Sequence, residues 1–115
     1  MKKTALFAFN GDFMCFIHVL LNALDMKERG YDVKIVIEGY ATRLIPELAK
    51  EGNPMVELYR KARELDLIDG ACQACSHKMG TLEAVKAEGI KLLGDMKGHP
   101  GIARYREDGF EVMTF

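Results

Sequence analysis

Short apolar runs and longer helical patterns take turns along this chain. Thr4–Phe9 is apolar and aromatic and ends at an Asn10-Gly11 turn signal, which predicts a buried strand. Asp12 can cap the next helix, from Phe13 to about Arg29, and Gly30 can end it. Asp32–Glu38 is β-branched and partly alternating, the pattern of a second strand. A short helix is predicted within about Thr42–Lys50, broken at Gly52-Asn53-Pro54. Pro54 can open another through about Leu65, with Met55, Leu58, Ala62 and Leu65 on one face. Ile68–Cys72 predicts a third strand, Lys78 to Glu88 a helix stopped by Gly89, and Ile90–Leu93 a fourth strand. His99-Pro100-Gly101 reads as a turn, Ile102–Glu107 as a short helix and Phe110–Phe115 as a last strand. Strands that alternate with helices imply right-handed crossovers. The expected fold is a single α/β domain over residues 1–115, a three-layer α/β/α arrangement around a five-stranded, mainly parallel sheet.

The helix over Phe13–Leu24 breaks the pattern of a surface helix. It is apolar almost all round, with no polar outer stripe until Asp25. Such a helix is buried on a second side. In so small a domain the second cover is expected to be another subunit, the alternative being the chain's own loops.

Composition narrows the class. The 115 residues are 49% apolar and 29% charged, with a net charge of −1. That balance excludes a disordered tail and provides no global field toward nucleic acid or an anionic membrane. Neither direct nucleic-acid binding nor membrane association is expected. Met1-Lys2-Lys3 followed by an apolar run resembles the start of a signal peptide, but Asn10-Gly11-Asp12 interrupts it. Phe13–Leu24 contains His18 and Asn22 and is too short to span a bilayer. Three cysteines are too few for a disulfide scaffold and suit a reducing, cytoplasmic setting.

The chemistry-bearing segment is Ala71-Cys72-Gln73-Ala74-Cys75-Ser76-His77-Lys78-Met79-Gly80, where the third strand gives way to a helix. Ligands and reactive groups of open parallel sheets collect at the carboxyl ends of strands. A cysteine beside a helix N-terminus is biased toward thiolate, and Lys78 and protonated His77 would add to that bias. Cys72 is therefore a candidate nucleophile or sulfur carrier, or else a small buried hydrophobe. Cys75 makes a C-x-x-C pair with it, which can close a reversible disulfide or supply half a zinc site. Cys15, His18, His77 and His99 are scattered and there is no second C-x-x-C, so no metal and no cofactor are expected. Asn10 and Gly39, at the ends of the first two strands, could face the same crevice, and Glu38 could approach it. His18 reads as an interface histidine and the seven methionines as core filler. There is no dinucleotide fingerprint, phosphate-binding loop or nucleophile elbow.

Taken in order, these motifs resemble the DsrE/DsrF-like sulfur-relay family, its TusD-like carriers included. The matching features are the apolar first strand with Asn10-Gly11-Asp12 and its long apolar helix, and Val33–Glu38 ending at Gly39. They continue with Ala71-Cys72 followed eight positions on by Gly80, Gly89-Ile90-Lys91-Leu92-Leu93-Gly94, and a terminal strand ending Val112-Met113-Thr114-Phe115. The resemblance covers nearly the whole length. It implies homo-oligomers, trimers or hexamers, packed partly through the first helix. It also implies a sulfurtransferase-like role in which Cys72 takes sulfur as a persulfide from a donor protein and passes it to an acceptor protein. Cys75 departs from the pattern and could act as a resolving thiol, releasing sulfide and leaving a disulfide. Two other readings stay open: a non-catalytic oligomeric binding module of the same fold, and a C-x-x-C thiol–disulfide or metal protein.

Overall fold

A computed structural model describes residues 1–115. The elements run β1 (Lys3–Ala8), α1 (Phe13–Glu28), β2 (Asp32–Ile37), a 3-10 helix (Gly39–Leu44), α2 (Ile45–Leu48), α3 (Val56–Glu64), β3 (Ile68–Cys72), α4 (Gln73–Lys78), α5 (Leu82–Ala87), β4 (Leu92–Leu93), α6 (Ile102–Glu107) and β5 (Glu111–Thr114). The five strands form one parallel sheet in the order β4-β3-β2-β1-β5. Central β1 explains its own sequence. Thr4 through Ala8 are buried on both sides, so the strand reads as a continuous apolar run rather than an alternating one.

The strand order sets the layers. The first three crossovers step in one direction, and right-handed connections therefore place their helices on one face. On that face Leu6, Ile35 and Ile37 meet Phe16 and Leu20 of α1 and Leu48 of α2. Burying each such side chain stabilises the fold by about 1.5–3 kcal/mol. The connection from β4 to β5 crosses the whole sheet and puts α6 on the other face. There a smaller core joins Ala5, Phe7, Val36 and Leu93 to Tyr105 and Phe110. The result is the expected three-layer fold, with one layer thick and the other a single six-residue helix.

Several boundaries differ from the sequence reading. The expected helix from Lys78 to Glu88 shortens to α5, and a separate helix, α4, precedes it from Gln73 to Lys78 and is ended at Gly80, whose φ is +74°. β4 is only Leu92–Leu93, because Ile90 turns into the first-face core instead of joining the ladder. Helix α3 begins at Val56, after Pro54 and Met55. The pairing of β2 with β3 jumps from Ile35↔Ile68 to Val36↔Gly70, a bulge that leaves Asp69 unmatched.

Asp12 caps α1 as expected, its carboxylate accepting from the Met14 N–H at 2.7 Å. Phe16, Val19, Leu20 and Ala23 form the buried stripe of α1. Its other side stays open: Met14 is 70% exposed, Leu21 45% and Phe13 38%. The chain's own loops do not cover it. No helix is long and apolar enough to cross a membrane.

Candidate functional site

Cys72 is the last residue of β3 and the N-cap of α4. Its extended backbone (φ −60°, ψ 121°) turns the sulfur back over the first helical turn, where Sγ accepts from the Cys75 N–H at 3.3 Å. This places both cysteines of the C-x-x-C pair on one side of the turn. A thiol does here what a serine or aspartate side chain commonly does at an N-cap.

The third group comes from the loop between β4 and α6. Parallel pairing of β4 with β3 sets Leu93 opposite Cys72, so the chain leaving β4 emerges beside the thiols. Met96 and His99 exchange backbone hydrogen bonds at 2.8 and 3.0 Å, and the Ala74 N–H donates to the Gly98 carbonyl at 2.8 Å. The loop is thereby pinned to the first turn of α4. It presents His99 Nδ1 at 3.2 Å from Cys72 Sγ and 3.7 Å from Cys75 Sγ. All three ligand-type atoms lie within 4.8 Å of one another.

Access is graded across the cluster. Cys72 is fully buried, Cys75 is partly exposed and His99 is exposed. Burial pushes the Cys72 thiol up to about 12. The Cys75 N–H pulls the other way, while the Cys75 thiol and Glu38 add to the upward push. The helix terminus therefore does not leave Cys72 a free thiolate in the closed chain; desolvation outweighs it. Burial also raises Glu38, at the end of β2, and His99 draws it partly back.

The other sequence-predicted residues are distributed differently. Gly39 is buried, with φ +58°, at the start of the 3-10 helix that packs against α4. Asn10 is exposed, its side-chain oxygen accepting from the Asp12 N–H at 2.8 Å, which makes it part of its own turn. His77 and Lys78 are exposed in the last turn of α4. The imidazole beside Cys72 is that of His99, which sequence reading placed in a turn. Its signal was weak but present: a histidine just past the carboxyl end of the strand that follows the cysteine strand. The largest cavity, of about 490 Å³, lies elsewhere, among Asp32, Arg63, Asp69 and Lys91 at the opposite ends of the strands.

Chemically, two thiols and an imidazole nitrogen at one strand end can exchange protons, close a disulfide or pass sulfur. No family model matches the chain. It is 31% identical over 97 residues to "Uncharacterized protein MJ0733" of Methanocaldococcus jannaschii, across 84% of this chain and 77% of the relative. Two proteins of Archaeoglobus fulgidus, both called "Uncharacterized protein", match shorter stretches. One is 44% identical over 59 residues (51% of this chain, 95% of the relative) and the other 43% over 37 residues (32% and 100%).

Proposed function

The chain belongs to the family of the Methanocaldococcus jannaschii protein MJ0733, and from the residues of this chain we propose that it is a cytoplasmic sulfur-relay protein of the DsrE/DsrF-like kind. The observation that carries this reading is the approach of Cys72 Sγ and Cys75 Sγ to one imidazole nitrogen, at 3.2 and 3.7 Å, where β3 ends. Exposure gives the thiols an order. Cys75 is the entry thiol. As a thiolate it attacks the outer sulfur of a donor persulfide, forming Cys75–S–SH and releasing the donor thiolate, which takes up a proton. Cys72 then attacks that same outer sulfur and becomes Cys72–S–SH, while its proton passes by way of His99 to the Cys75 sulfur. The sulfur is held at the buried position, away from small thiols, until an acceptor protein opens the site.

The test is intact mass after incubating reduced protein with a cysteine desulfurase and cysteine, followed by gel filtration in the presence of a small thiol. Wild type is expected to retain one added sulfur atom. Cys75→Ser should load at least about tenfold more slowly, and Cys72→Ser should retain none. Retention in Cys72→Ser equal to wild type would overturn the assignment. A second outcome is favoured by the one-turn spacing of the thiols. Attack by Cys72 on the inner sulfur would release sulfide and leave a Cys72–Cys75 disulfide, seen as a loss of two hydrogens.

The open apolar side of α1 supports a second part of the proposal, that copies of the chain associate through it as a trimer or hexamer. Sedimentation should give a multiple of 12.9 kDa, and Met14→Asp, at the most exposed apolar position of the helix, should return the monomer. A wild-type mass of one chain would refute it.

A further inference from the structure

We propose that Cys72, Cys75 and His99 form a three-ligand site for a thiophilic divalent cation of the zinc class, with a fourth position open to solvent. Zinc bonds of about 2.3 Å to sulfur and about 2.0–2.1 Å to nitrogen, at tetrahedral angles, require S···N separations of about 3.5–3.6 Å and S···S of about 3.8 Å. The two S···N distances are 3.2 and 3.7 Å, and the three atoms lie within 4.8 Å of one another. The S···N separations need to change by only a few tenths of an ångström, and the two sulfurs, no more than 4.8 Å apart, close toward about 3.8 Å as the ion binds.

Hydrogen bonding uses these atoms singly, the Cys72 thiol having the Gly98 carbonyl at 3.7 Å as a further acceptor. An imidazole nitrogen carries either one N–H or one lone pair, so Nδ1 serves one thiol at a time. Two sulfurs approach it. A cation satisfies all three atoms together.

The surroundings match the demands of a bound thiolate. The Cys75 N–H points at Cys72 Sγ, as outer-sphere donors do toward a ligand sulfur. The His99 loop is braced by the Met96–His99 pair and by Ala74 N–H to Gly98 O, so the imidazole is held without metal. His99 is exposed and Cys75 partly so, and the protein supplies three ligands rather than four. That is the arrangement of a zinc site that keeps one position for water or an incoming ligand, not of a closed structural site.

This inference stands apart from persulfide chemistry, since the site holds either the ion or a sulfane sulfur and the ion is measured with no sulfur donor present. Reduced, chelator-treated protein is titrated with cobalt(II), then with zinc. Wild type should bind one cobalt per chain with thiolate charge-transfer absorption and tetrahedral visible bands, and zinc should displace it. His99→Ala, Cys72→Ser and Cys75→Ser should each weaken cobalt binding by more than about a hundredfold, because even outer-sphere partners are worth about 10–100-fold. Lys86→Ala, on the exposed surface of α5, should bind as wild type. No thiolate band in wild type, or an unchanged spectrum and affinity in His99→Ala, would overturn the site. His99 is a surface residue, so its variant reports on binding without endangering the fold.

Discussion

Tyr105→Ala is expected to cost about 3–5 kcal/mol, a large part of the stability of a domain this size. Tyr105 is the buried anchor of α6, and α6 is the only helix on its face of the sheet. Its ring meets Phe7 edge-on at 5.3 Å and Phe110 at 6.2 Å. Its hydroxyl donates to Asp69, the residue freed by the β3 bulge, which is otherwise held only by Lys34 at 3.8 Å. Alanine removes both ring pairs, opens a cavity over β1 and leaves a half-buried carboxylate short of a donor. In urea the unfolding midpoint should fall by more than about 1 M. Tyr105→Phe keeps the rings and should lose only about 1–2 kcal/mol. A loss below about 1 kcal/mol for alanine would show that α6 does not hold this face.

The same phenol provides a pH signature. Burial first, and then the hydrogen bond to Asp69, raise it above its usual value of 10.0. The folded state thus keeps the proton more tightly than the unfolded state. The contribution is intact below the unfolded value and is lost as pH climbs from there toward the folded one. Wild-type stability should decline above about pH 10, and the decline should be shallower in Tyr105→Phe. Tyr59, raised by burial and by its bond to Glu88, contributes to both proteins alike.

The second large effect is expected at Gly70→Ala, at about 3 kcal/mol. A Cβ at Gly70 would lie 2.6 Å from the Lys91 carbonyl oxygen and 2.6 Å from Leu93 Cγ, both inside the 3.0 Å that real Cβ contacts respect. Lys91 O is fixed by the Ala71 N–H at 2.9 Å, so relief requires β4 to move away from β3. A strand of two residues has little to resist with. Its displacement carries the following loop, and His99 with it, away from Cys72. Cobalt affinity should therefore fall at least about tenfold, while far-ultraviolet ellipticity stays near wild type. Unchanged stability together with unchanged cobalt binding would contradict the packing described for β3 and β4.

The sheet was legible at β1, where burial on both faces forces a continuous apolar run, and at β2 and β3 through β-branched residues and the buried ends Ile35–Ile37 and Gly70–Cys72. It was less legible at the edge. β4 pairs on one side only, so Leu92–Leu93 needs no extended run, and the apolar Ile90 before it serves the first-face core. The start of α4 was hidden for a different reason. Gln73–Lys78 has little apolar periodicity, and its cap is a thiol rather than the usual hydroxyl or carboxylate. Cys72 and Cys75 could be read from local pattern because strand, turn and helix place them in succession. His99 could not, because it lies 27 residues from Cys72 and is delivered by the adjacency of β3 and β4. Asn10 shows the converse: a polar residue at a strand end that looked aimed at the crevice is occupied in its own turn.

The edge-to-edge crossover also sets an order of assembly. A chain folded only as far as Leu93 has the first four strands and every helix of the thick layer in place, yet Ala5, Phe7, Val36 and Leu93 still face water on the other side. Their cover and the strand that completes β1 lie in residues 102–114. Until that last segment docks, a folding intermediate carries a bare apolar sheet face and an unpaired β1 edge, the surface a holding chaperone grips and a neighbouring copy can zip onto.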